Sequence, residues 1–175
     1  NTIMECVDKV RDTTESHDRC TVVEVMGRRA GYLALNAGIA VGATAILIPE
    51  IEFDIQKDVI ERMKRTQLAN KKHFLIVVAE GVGVDVTQLA GEIQEKTGVE
   101  SRACILGHIQ RGGSPTVQDR VMATRMGNYA VKELLMKNIG NRVVASQKGD
   151  VVDYDIFEAL NMKKHIDEHL YQVAM

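Results

Sequence analysis

Tryptophan is absent from the sequence, and aromatic residues make up only 4% of it, three Phe and four Tyr. So few rings offer no stacking platform for single-stranded nucleic acid. An excess of positive charge is missing as well: 22 Lys and Arg face 24 Asp and Glu, for a formal net charge of −2. Bulk attraction to a phosphate backbone is thereby excluded, and no nucleic-acid partner is expected. Cysteines number three, Cys6, Cys20 and Cys104. An odd count at wide spacing excludes a disulfide framework and a cysteine metal cluster, and predicts reduced, buried thiols in a cytoplasmic protein. No apolar run approaches the ~20 residues that span a bilayer, so no membrane partner is expected. No signal peptide opens the chain. No GxxxxGK[ST] phosphate loop occurs either.

What is present is a regular alternation of short apolar runs and helical periods. Residues 20–25, 44–48, 74–79 and 101–105 are short, β-branched and continuously apolar, as strands buried on both faces are. Between them, residues 29–41 are rich in Ala and Leu, 55–69 carry Ile55, Val59, Met63 and Leu68, and 86–97 start at Asp85 and stop at Gly98. This pattern predicts an α/β fold: a parallel β-α-β layered sheet with helices on both faces. A longer helix is expected from Ser114 as N-cap and Pro115 as first residue. Val117, Val121, Met126, Ala130 and Leu134 would give it a buried stripe to about residue 138. A short strand at 142–146 and helical segments near 155–162 and 164–173 complete the expectation. The opening NTIMECVDKV is already helix-periodic and lacks an initiating Met, as expected of a chain that starts inside a longer polypeptide.

In a parallel sheet, ligands bind beyond the carboxyl ends of the strands. Here the first strand runs into Met26-Gly27-Arg28, the second into Pro49-Glu50, the third into Glu80-Gly81 and the fourth into Gly107-His108. The following helix would also aim its free N–H groups at this rim. Taken singly, Gly27 could serve only a turn, Glu80 could be a solvated carboxylate, and His108 with Arg111 could form a surface pair. Taken together, they suit a ligand bearing hydroxyls and an anionic group, such as a sugar phosphate. A second set of cations, Arg11, Arg19, Lys71, Lys72 and Arg102, falls at the opposite edge. A five-residue strand spans roughly 17 Å, too far for Arg19 or Arg102 to join His108 within one chain. They are therefore solvated charges, or they serve a site shared with another subunit.

VVEVMGRRAG, ILIPE, VVAEG and above all LGHIQRGGSP followed by QDR resemble 6-phosphofructokinase of the bacterial, ATP-dependent type. The resemblance runs to about residue 160. It implies that Met26, Gly27, Arg28, Glu80, His108 and Arg111 contact fructose 6-phosphate. It also implies that Arg19 and Arg102 reach a neighbouring subunit's site, and that Arg11, Gly42 and Lys71 belong to an effector site between subunits. Thr44 and Ala69 depart from that pattern, standing where a metal-associated carboxylate and a second basic residue are common.

The same resemblance implies phosphoryl transfer from ATP with Mg2+ to give fructose 1,6-bisphosphate in glycolysis, by an allosteric cytoplasmic homotetramer. The glycine-rich ATP contacts and the catalytic aspartate of the family have no counterpart here, so none of these residues is expected to be catalytic and no metal ligand is assigned. The chain would then carry the fructose 6-phosphate half, with an N-terminal ATP-binding half as partner, and would be inactive alone. Residues 1–110 would form most of the smaller domain, 111–160 would pack on the ATP domain, and 161–175 would return to the smaller domain. Helix 115–137 would leave an apolar face prone to association. A pyrophosphate-dependent enzyme and a non-catalytic sugar-phosphate or nucleotide sensor are the alternatives.

Overall fold

The computed structural model describes residues 1–163 and 165–174. They form two compact units, Asn1–Gly113 with Ile166–Met175, and Ser114–His165.

The first unit is built on four parallel strands, β1 (Cys20–Val25), β2 (Ala45–Leu47), β3 (Phe74–Ala79) and β4 (Ser101–Ile105), in the order β2-β3-β1-β4. Strand residues alternate between faces, and both faces are buried. Cys20, Val22, Phe74, Ile76 and Val78 pack with Val59, Ile60 and Met63 and with Val86, Leu89 and Ile93 on one side. Those partners come from α3 (Glu61–Leu68), the π turn Ile55–Ile60 before it, and α4 (Val86–Thr97). Val23, Val25, Leu75, Val77 and Ala79 pack on the other side with Ile3 and Val7 of α1 (Thr2–Ser16), Ala34 and Leu35 of α2 (Tyr32–Ala40), and Ile166, just before α7 (Glu168–Ala174). A side chain buried this completely contributes about 1.5–3 kcal/mol, so the two-sided burial explains why the strands lack polar alternation. The parallel α/β sandwich matches the sequence expectation, with one difference. Strand β4 lies at the sheet edge, and Arg102 and Ile105 on it are exposed.

Topology fixes where a ligand can sit. The connection leaving β1 passes through α2 over one face, whereas that leaving its neighbour β3 passes through α4 over the other. The two connections part at the carboxyl ends of β1 and β3, the position where ligands bind in such sheets.

The second unit holds α5 (Val117–Tyr129), continued by a π turn at Ala130–Leu135, the antiparallel strands β5 (Arg142–Gln147) and β6 (Asp150–Asp155), and α6 (Ile156–Asn161). Strand β6 was not anticipated. Gln147 pairs with Asp150, and the two-residue loop between them, Lys148-Gly149, has φ of 53° and 89°. Two successive left-handed residues make the turn whose twist suits a tight hairpin. The helix start also differs from expectation. Thr116, not Ser114, is the N-cap: its Oγ1 accepts from Asp119 N, and Asp119 accepts from Thr116 N in return. That reciprocal pair outcompetes a single serine cap. The expected buried stripe is absent as well: Val117 is 78% and Val121 53% exposed.

Candidate functional site

The loop after β1 is shaped by a tight turn in which Ala30 N donates to Gly27 O at 3.0 Å. A Cβ on Gly27 would lie 2.3 Å from Ala30 O, so only glycine closes the turn. Arg28 then adopts φ +53°, a left-handed conformation that costs a non-glycine residue about 1 kcal/mol or more. Side chains from the ends of the other three strands hold the loop there. From β3, Glu80 Oε1 accepts from Gly27 N at 3.2 Å and Arg28 N at 2.5 Å. From β4, Gln110 Oε1 accepts from Met26 N at 3.2 Å. From the β2 end, Glu50 accepts from Gly31 N, with Oε1 at 2.8 Å and Oε2 at 3.1 Å. The β1 and β3 loops approach so closely that a Cβ on Gly81 would stand 2.1 Å from Arg28 O.

His108 and Arg111 lie on the 3-10 turn Gly107–Arg111, directly after β4. At three residues per turn, side chains i and i+3 eclipse, so these two exposed groups share a face. The structure therefore brings these residues to one rim: Gly27 and Arg28 are bonded directly to Glu80, and Met26 is tied to the His108–Arg111 turn through Gln110. Burial, then the charges of Glu80 and Asp85, raises the carboxyl of Glu24 on the last turn of β1 above its ordinary value. The loops at this rim thus carry two exposed arginines, Arg28 and Arg111, and the exposed His108 beside the Glu80 carboxylate. That set can clasp an anionic group at one end of a ligand and hydroxyls at the other.

One of the N–H groups at the start of α2, that of the N-cap Gly31, is already engaged by Glu50. Sequence inspection placed Glu50 at the rim without giving it this task, and it passed over Gln110 inside a motif it had singled out.

At the amino ends of the strands, Arg19 and Arg102 converge on one carboxylate. Glu100 pairs with Arg19 Nε at 2.9 Å and accepts from Arg102 Nη2 at 2.7 Å, and the two guanidinium groups hold its carboxyl below the ordinary range. Glu100 was also overlooked, though its place one residue before β4 was readable. Nearby, Arg11, Gly42 and Lys71 line a single cavity of about 360 Å³, together with Glu15 and His73. Arg11 Nη2 is buried there without a hydrogen-bond partner among the described residues. Lys71 Nζ donates to Thr44 Oγ1 at 3.3 Å, and burial with the charges of Arg11 and Arg62 pulls its ammonium below the ordinary lysine value. Of the cysteines, only Cys20 is fully buried, its thiol pushed up to about 12 by burial; Cys6 and Cys104 are half-buried. Among the described residues no group of three or more His, Cys, Asp or Glu could hold a metal ion, and no helix is long and apolar enough to cross a membrane.

The family model for phosphofructokinase matches residues 1–134 of the chain. The ATP-dependent 6-phosphofructokinases of Bacillus velezensis and Bacillus subtilis are 51% and 49% identical to it over 174 residues, 99% of this chain and 54% of theirs. The chain spans about half the length of the curated relatives it matches. Phosphofructokinase from Saccharomyces cerevisiae is similar in structure, with a TM-score of 0.80 at 32% identity, covering 91% of this chain and 22% of that one. Pichia pastoris phosphofructokinase in the T-state gives a TM-score of 0.83 at 26% identity, covering 99% and 24%.

Proposed function

The chain belongs to the phosphofructokinase family, and we propose on that premise that its rim binds fructose 6-phosphate as the sugar half of an ATP-dependent 6-phosphofructokinase. The observation that supports this most is the meeting of Met26–Arg28, Glu80 and the His108–Arg111 turn at the carboxyl ends of β1, β3 and β4. His108 and Arg111 would hold the 6-phosphate, with Arg28 adding charge, and Glu80 would accept from sugar hydroxyls. Arg19 and Arg102 would turn outward to complete the site of a neighbouring subunit in a homotetramer.

Phosphoryl transfer needs a metal-bound donor in line with the attacking hydroxyl, and a group that takes its proton. The described residues hold no cluster that fits Mg2+, so no step is routed through a metal on this chain. The family's ATP contacts and catalytic aspartate would come from the part of the relatives' length that these residues do not span. What this chain contributes is orientation: it anchors the sugar phosphate so that its free hydroxyl faces the donor. The donor is ATP by likeness to the curated relatives named ATP-dependent. The enzyme would work in the cytoplasm, in glycolysis.

The cavity lined by Arg11, Gly42 and Lys71 would bind an anionic effector between subunits. With Thr44 in place of a carboxylate, that effector would bind without a divalent cation.

The test is calorimetric titration of fructose 6-phosphate into the chain and into Arg111→Ala. Binding by the parent, weakened at least thirtyfold in the variant, supports the assignment, since a lost charged partner costs about 2–4 kcal/mol. Equal affinity of the two proteins would overturn it.

A further inference from the structure

We propose that Gln110 is a positioning residue of the sugar-phosphate site: its side-chain amide sets the Met26–Arg28 loop against the His108–Arg111 turn. This rests on the sugar-phosphate assignment above but adds a residue whose side-chain amide is engaged by backbone groups of the two loops.

The amide makes two hydrogen bonds in opposite senses. Oε1 accepts from Met26 N at 3.2 Å, and Nε2 donates to Gly107 O at 2.9 Å. Each partner fixes one end of the amide. An N–H needs the oxygen and a carbonyl needs the nitrogen, so the orientation follows from chemistry. No ionised side chain can do both, because a carboxylate would face the Gly107 carbonyl with a lone pair.

The strands below explain why such a link is needed. β1 and β4 are paired up to Glu24 and Ile105, and Leu106 N still donates to Glu24 O at 3.2 Å. Beyond that point the two chains part, one into the Gly27 turn and the other into the 3-10 turn. Gln110 is half-buried and rejoins them above the last ladder bond. Met26, Gly27 and Arg28 thus present three successive N–H groups, each held from outside the loop, one by Gln110 and two by Glu80. If the amide is removed, the His108–Arg111 face and the Arg28 loop fluctuate separately. A ligand touching both must then pay to order them. A small anion touching only the His108–Arg111 face pays much less.

That difference supplies the test. Dissociation constants for fructose 6-phosphate and for inorganic phosphate are measured by NMR titration of the chain, its Gln110→Met and its Gln110→Glu variants. Amide exchange at Met26–Arg28 is followed in the same samples. The expected result is fructose 6-phosphate binding weakened about tenfold (about 1.4 kcal/mol) in Gln110→Met, phosphate binding changed less than twofold, and faster exchange at Met26. Gln110→Glu should show the defect at pH 7.5. It should approach the parent as pH falls through the ordinary glutamate range, about 4.3, where its carboxyl regains a proton and can donate to Gly107 O again.

Unchanged exchange at Met26 in Gln110→Met would overturn the link itself, whatever the ligand does. Equal loss of both ligands would also overturn the proposal, since it marks general damage to the turn. A parent that binds phosphate but no fructose 6-phosphate would instead overturn the sugar assignment, while the exchange data still decide the loop role.

Discussion

A single hydrogen atom's worth of space decides the conformation of the rim. Gly81 allows the β1 loop to lie against the β3 loop, and a Cβ there would meet Arg28 O at 2.1 Å. Gly81→Ala should therefore lower stability by about 1–3 kcal/mol, the usual range for overpacking, measured by urea unfolding, and should weaken sugar-phosphate binding as the loops separate. An unaltered midpoint would mean that the close approach does not exist. Charge is equally local at the opposite edge. Lys71 is held below the ordinary lysine value by burial first, then by Arg11 and Arg62. A lysine whose folded-state pKa is depressed opposes folding while charged. Its contribution to stability thus improves as pH rises from that depressed value toward the ordinary one. In a titration of methylated lysines, Lys71 should lose its proton before the exposed lysines. Arg11→Met should move it back up, and so should added phosphate. Co-titration of Lys71 with the surface lysines would contradict the cavity's electrostatics.

Elements marked by a local run of apolar residues or a local cap were legible in the sequence; elements set by reciprocal side-chain bonds were not. The strands and α4 were read correctly because two-sided burial leaves unbroken apolar runs, and Asp85 accepts from Thr87 N and Gln88 N as a cap should. The rim followed from those strand ends. The start of α5 was misplaced because Ser114-Pro115 is a sound local signal, and the box closed by Thr116 and Asp119 is visible only once both bonds are seen. Strand β6 was missed because DVVDYD mixes charge with apolar residues, as a half-exposed hairpin strand does. Gln110 and Glu50 escaped notice because their partners are backbone groups distant in sequence, which no local pattern encodes. The cap assignment is testable: Thr116→Ala should cost about 1 kcal/mol and fray the first turn of α5 by amide exchange, while Ser114→Ala should leave it unchanged. The reverse order would restore Ser114 as the cap.

At the scale of the whole chain, the two units differ in how their apolar surface is disposed. The first packs a buried core against each face of its sheet, though Leu68 and Ile105 stay exposed. The second exposes Val117, Leu135 and Leu160 by 78%, 74% and 76%. Exposed apolar side chains of this size favour association, and the curated relatives are nearly twice as long. The isolated chain should associate at micromolar concentration and bind an apolar dye, and Val117→Lys with Leu135→Lys should diminish both in light scattering. A dye-silent monomer would count against this.

Most direct for the central claim, that strand-end loops form one fructose 6-phosphate site, is chemical-shift mapping of that ligand on the isotope-labelled chain. The account predicts saturable shifts centred on Met26–Arg28, Glu80 and Gly107–Arg111, with the rest of the sheet unaffected. Saturable shifts confined to other surfaces, or none at millimolar ligand, would contradict it.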